Sequence, residues 1–192
     1  MRKSSTLTKR TTGRRPWCMH PEPLPEVPAL PADPCPPVLR LTPERLHAVQ
    51  AQLGYSFNDA AYLRQALAWR TPANERLEFL GDKVLGLCVA HWLSTTRPEW
   101  GPGPLTIASS RLVCKGTLAQ VVAPAWGLTM TDEPHNHQWY CDAVEAVIGA
   151  LFLDSQDWQL VAGLLCPLLT PVLERVAAEG WAQHTQGRGV VL

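Results

Sequence analysis

Five carboxylates in two runs of this sequence have the spacing to gather divalent cations. In Asn74-Glu75-Arg76-Leu77-Glu78-Phe79-Leu80-Gly81-Asp82 the acids fall three and four residues apart, and in Asp142-Ala143-Val144-Glu145-Ala146-Val147-Ile148-Gly149-Ala150 three apart. On a helix such positions stack, so Glu75, Glu78 and Asp82 form one acidic stripe, and Asp142 and Glu145 form another. Either stripe alone reads as a solvated helix face, but both are threaded with apolar residues that call for burial. If the two helices pack face to face, Glu78, Asp82, Asp142 and Glu145 converge. Like charges ~5 Å apart repel by ~3 kcal/mol at an effective dielectric of ~20. A divalent cation reverses that sign. Mg²⁺ takes hard oxygen ligands and keeps several waters. Two such ions ~3.5–4 Å apart supply the activated water, in-line geometry and leaving-oxygen neutralisation of phosphodiester hydrolysis.

The elements that must position these acids read as helices throughout. Thr42-Pro43 is a cap followed by proline at the first helical position, and the first helix runs to Leu53 with Gly54 as stop. Asn58-Asp59 opens a second helix carrying Leu63, Ala66 and Leu67. Residues 70–73 form a turn, and the first acidic helix spans Asn74 to Ser94, with Leu77, Leu80, Val84 and Leu87 as its apolar face. Pro98 and Gly101-Pro102-Gly103-Pro104 break the chain. Helices over Thr106–Cys114 and Thr117–Ala125 follow. A polar loop with Asp132, Pro134, His135 and His137 leads to the second acidic helix, Trp139–Leu153. The last helix, Asp157–Glu179, carries Pro167 and Pro171, which predict a kink or break. No alternating strand pattern occurs, so the fold class is all-α.

Across 192 residues, 46% are apolar, enough for one core with a tail to spare. Net charge is zero, an unusual balance for a protein that meets a polyanion. The first twenty residues hold six Lys/Arg and no acid, which leaves the remainder at −6. Residues 1–40 pass from that basic head into a proline-rich stretch and read as a disordered arm. The folded domain is expected over 41–179, and 180–192 as a flexible tail. Six cysteines form no CxxC pair, so neither a disulfide framework nor a zinc site is expected, and Cys88 and Cys166 read as core residues. No apolar run approaches the ~20 residues that span a bilayer, so no membrane partner is expected.

From about Leu41 to Glu179 the chain resembles the ribonuclease III family, on the near-complete run Asn74–Asp82 followed by Asp142–Ala150. The resemblance is to its bacterial-like catalytic endonuclease domain, without the C-terminal double-stranded RNA-binding domain. It implies a helical bundle that works as a homodimer and cuts double-stranded RNA, leaving 5′-phosphate and 3′-hydroxyl ends with a short 3′ overhang. It also implies that Glu78, Asp82, Asp142 and Glu145 hold Mg²⁺, with Mn²⁺ as substitute and no small-molecule cofactor. Glu75 would position RNA and the second ion. Gly81 matches the glycine beside the catalytic acid, and Asn74 and Arg76 match flanking polar residues. Lys83, Arg111 and Lys115 are the candidate RNA contacts. The implied role is rRNA or structured-RNA processing in a bacterial cytoplasm, with an organelle matrix as second choice. Four departures stand out: Pro102 and Pro104 where many members carry acids, a shorter loop before Asp142, Trp69 in place of a histidine, and no RNA-binding domain after the last helix. They keep a rival reading in view, an inactive RNA-binding scaffold associated with the ribosome.

Overall fold

Thr42 and Thr71 open two of the helices by the same device, a threonine cap followed by proline. The structure, a computed structural model, describes residues 41–128 and 137–186, with side chains over 41–128 and 138–179. The basic arm, the loop residues Asp132, Pro134 and His135, the His137 side chain and the chain beyond Gln186 lie outside the described residues. Among the described residues every regular element is helical.

Helix α1 (Pro43–Leu53) starts where Arg45 N–H donates to Thr42 Oγ1 at 3.2 Å, and ends at Gly54 in the left-handed conformation. Helix α2 (Ala60–Leu67) is capped by Asp59. Helix α3 (Pro72–Thr96) begins two residues earlier than expected, because Thr71 caps it through the Asn74 N–H and Pro72 supplies the first turn. Its core face also differs. Leu77 and Val84 are buried with Leu85 and Cys88, while Leu87 is 49% exposed and Phe79 70%. Helix α4 (Pro102–Leu112) takes in the prolines expected to precede it, both within its first turn, where no amide donor is required. Then come α5 (Lys115–Thr117), a π-helical segment (Leu118–Val122) and α6 (Ala123–Ala125).

Helix α7 (His137–Ser155) is the centre of the bundle. From Ala143 to Leu151 every residue except Glu145 is buried, as a helix covered on all sides requires. It packs most extensively on α3, then on α2 and the π-helical segment. Helix α8 (Trp158–Gln186) remains helical through Pro167 and Pro171, so the expected break does not occur, and it runs past Glu179, where the domain was expected to end. Its stretch Trp158–Glu179 is long and apolar enough to cross a membrane by length and composition alone. That corrects the expectation of no such run. One face of it, Val161, Leu165, Leu169 and Leu173, is buried in the bundle core.

Two hubs fasten the helices. Asp154 at the end of α7 accepts hydrogen bonds from Tyr55 Oη (2.7 Å) and from the Asn58 and Asp59 amides (2.8 and 2.9 Å), tying the α1–α2 connection to the core. Asn74, the buried polar side chain of the described core, donates from Nδ2 to the Ala66 carbonyl at 2.7 Å and accepts from the Arg70 N–H at 3.3 Å. It fixes how α3 leaves α2.

Candidate metal centre

Gly81 and Gly149 set the separation of the acidic helices. A Cβ at Gly81 would lie 1.7 Å from the Glu145 carbonyl oxygen, and one at Gly149 would lie 2.2 Å from that of Leu77. The backbones of α3 and α7 therefore touch where any larger residue would hold them apart. Glu78 and Asp82 flank Gly81 on one side of this contact, and Asp142 and Glu145 approach it from the other.

The carboxylates feel one another. Burial pushes Glu145 from its ordinary 4.5 up to about 7, and the charges of Asp82, Glu78 and Asp142 add to the rise. Glu78 is raised by burial, then by Asp142, Glu75 and Asp82. Asp142 is raised by burial, against the pull of Gln138, Lys115 and Arg70. Glu78, Asp82, Asp142 and Glu145 thus lie near enough for their charges to act on one another within a single chain. Glu75, exposed in the first turn of α3, stands at the rim of this group and acts on Glu78.

Neighbours fix which oxygens remain free. Gln138 Nε2 donates to Asp142 Oδ1 at 2.5 Å, and Lys115 Nζ donates in turn to Gln138 Oε1. The buried Cys141 thiol donates to Glu145 Oε1 at 3.4 Å, and burial followed by the Glu145 charge holds that thiol neutral. Ligand atoms of Cys141, Asp142 and Glu145 lie within 4.8 Å of one another. Hard oxygens crowded with too little counter-charge are the donor set a divalent cation such as Mg²⁺ takes.

Of the expected RNA contacts, Lys83 is exposed but pairs with Asp82 at 2.6 Å, Lys115 reaches the centre through Gln138, and Arg111 is exposed in the last turn of α4. Sequence reasoning missed Gln138 and Cys141. Each stands four residues before an acid, the spacing that places side chains together on a helix, so the signal was present.

The Ribonuclease III domain family matches residues 75–156, the span that contains all five acids and the crossing between their helices. The fold is similar to the nuclease domain of ribonuclease III from Campylobacter jejuni, with a TM-score of 0.57 at 28% identity over 65% of this chain and 95% of that one. The chain carries a ribonuclease III domain over residues 75–156.

Among curated family members, it is 37% identical to Ribonuclease 3 of Colwellia psychrerythraea over 129 residues, which are 61% of this chain and 48% of the relative. It is 35% identical to Ribonuclease 3 of Treponema pallidum over 161 residues, 70% of this chain and 63% of the relative. The chain therefore spans between about half and two thirds of the length of these ribonucleases. The solved Campylobacter domain is described by flexibility in its region of dimer formation. One family departure is visible in the bundle, since the first turn of α4 carries prolines and no acid.

Proposed function

We propose that this chain is an endoribonuclease that hydrolyses double-stranded RNA with Mg²⁺, or Mn²⁺ in its place, held by Glu78, Asp82, Asp142 and Glu145. The observation that supports the reading is the close crossing of α3 and α7 at Gly81 and Gly149, the two helices that carry these acids, together with the burial and mutual repulsion that raise Glu78, Asp142 and Glu145. Clustered acids of this kind weaken a fold unless a cation is their purpose. When bound, two divalent ions supply an activated water and neutralise the leaving oxygen, yielding 5′-phosphate and 3′-hydroxyl ends.

The chain's own groups prepare that chemistry. Gln138 occupies Oδ1 of Asp142 and leaves the second oxygen to a ligand, while Lys115 polarises the Gln138 amide. Cys141 does the same for Glu145 Oε1. Lys83 shields Asp82 as an exposed pair that a stronger cation displaces at little cost.

The working unit we propose is a homodimer. Phe79, Lys83 and Leu87 follow one another at four-residue spacing on α3, and the two apolar members stay 70% and 49% exposed in the single chain. Such a stripe beside a reactive centre suits a second copy. The substrates are structured RNAs such as rRNA precursors, and the bacterial sources of the relatives support a cytoplasmic setting.

The test uses perfectly paired RNA incubated in Mg²⁺, Mn²⁺ or EDTA. Cutting is expected with either metal and not with EDTA, and Glu145→Ala should bind without cutting. The scaffold alternative is favoured by the acid-free first turn of α4. Wild type that binds the duplex but leaves it intact in both metals would establish that alternative instead.

A further inference from the structure

Arg70 is held in a way that its fold role does not require. It stands between α2 and α3 with φ 56°, the left-handed conformation that any residue bearing a Cβ adopts at a cost and that glycine or asparagine would fill more readily. Its N–H is fixed by the buried Asn74 side chain at 3.3 Å, and its guanidinium lies 4.3 Å over the ring of the preceding residue, Trp69. The backbone and an aromatic face therefore aim the side chain together.

That aimed cation is available. Arg70 is exposed, and the ion pairs among the described residues are Lys83 with Asp82 and Arg97 with Glu174. Asn74, which fixes the Arg70 N–H, stands one helical turn before Glu78 on α3, so Arg70 leads directly into the acidic stripe. A planar group with five donors, stacked and oriented beside a carboxylate centre but paired with none of its acids, matches an oxyanion arriving there. Guanidinium meets phosphate through two parallel hydrogen bonds, which a lysine cannot reproduce. Backbone strain kept at such a place is a mark of function.

We propose that Arg70, positioned by Trp69 and Asn74, binds an RNA backbone phosphate at the edge of the carboxylate centre. The inference rests on the nuclease reading and names a binding residue that the acidic signature does not contain. Each of the two neighbours has its own part. Trp69 holds the guanidinium plane, and Asn74 holds the backbone that launches it.

The experiment compares full-length wild type with Arg70→Ala, Arg70→Lys and Trp69→Ala on a perfectly paired RNA duplex in Mg²⁺ over a range of salt. Arg70→Ala should raise KM ~10-fold, the scale of a lost charge-assisted contact. It should also flatten the log–log salt dependence of kcat/KM by about one. The Mg²⁺ concentration for half-maximal thermal stabilisation should stay unchanged. Arg70→Lys should recover the salt slope but only part of KM, and Trp69→Ala should fall between wild type and Arg70→Ala. If wild type cuts and Arg70→Ala keeps its KM and salt slope, the inference is wrong and the nuclease reading stands. A shifted Mg²⁺ midpoint with an unchanged slope also overturns it, because Arg70 would then serve Asp142. Wild type that neither binds nor cuts the duplex removes both.

Discussion

Removing one charge from the carboxylate centre should stabilise the metal-free protein, a sign opposite to that of most substitutions of buried residues. Glu145 titrates near 7 in the fold, against 4.5 when free. A raised carboxyl pKa means the folded state holds the proton more tightly, so folding is undisturbed below pH 4.5. Stability is then lost as pH rises from there through about 7. At ~1.4 kcal/mol per pH unit the full penalty would be ~3 kcal/mol. Glu145 is only partly buried, and solvent screening reduces the figure to ~1–2 kcal/mol. Glu145→Gln keeps the shape and the oxygen that accepts from Cys141. In EDTA at pH 8 it should melt ~3–6 °C above wild type, and the difference should vanish at pH 4. Mg²⁺ inverts the order by binding the ionised form, raising the wild-type melt at pH 8 and leaving the variant nearly unmoved. Circular-dichroism melts at both pH values, with and without Mg²⁺, provide the measurement. A Glu145→Gln protein that melts below wild type in EDTA at pH 8 would refute the claim that these charges are crowded.

Two further substitutions probe the scaffold. Gly81→Ala would drive a methyl group into the Glu145 carbonyl, backbone against backbone with no rotamer to relieve it; it should cost ~3 kcal/mol or more in denaturant titration and abolish Mg²⁺-induced stabilisation. Asp154→Ala removes the acceptor shared by Tyr55, Asn58 and Asp59. It should cost ~2–4 kcal/mol while leaving kcat of the surviving folded protein intact, as read by melting and by steady-state cleavage.

The parts of this molecule legible in its sequence are those governed by local chemistry. Thr42-Pro43, Asp59 and Gly54 marked helix ends because capping is settled within four residues. Thr71-Pro72 carries the same signal, and it starts α3 two residues ahead of the acidic run, where a turn through Ala73 is the competing reading. Prolines misled in both directions. Pro102 and Pro104 fit the first turn of α4, and Pro167 and Pro171 are carried inside α8, where burial of Val161, Leu165, Leu169 and Leu173 supports the helix that propensity opposes. Apolar periodicity placed Leu80 and Leu87 inward with Leu77 and Val84. Periodicity marks an apolar face but not what covers it, and Leu87 remains open in one chain.

The acids were legible as residues, but the reason they meet was not. Charge spacing places Glu78 with Asp82 and Asp142 with Glu145, and says nothing about the distance between the pairs. That distance is set by Gly81 and Gly149, sixty-eight positions apart, each emptying the space into which the other helix presses its backbone. A pair of alanines there would leave both stripes intact on paper and separate them in space. Apolar packing of Leu77, Val84, Val144 and Ile148 around the contact then holds like charges together against their repulsion. On the proposed reading the centre is strained in the absence of a cation and relieved by one. This ties metal affinity to the quality of the core rather than to the carboxylates alone, so a substitution that loosens the α3–α7 contact should weaken Mg²⁺ binding even when every acid is retained.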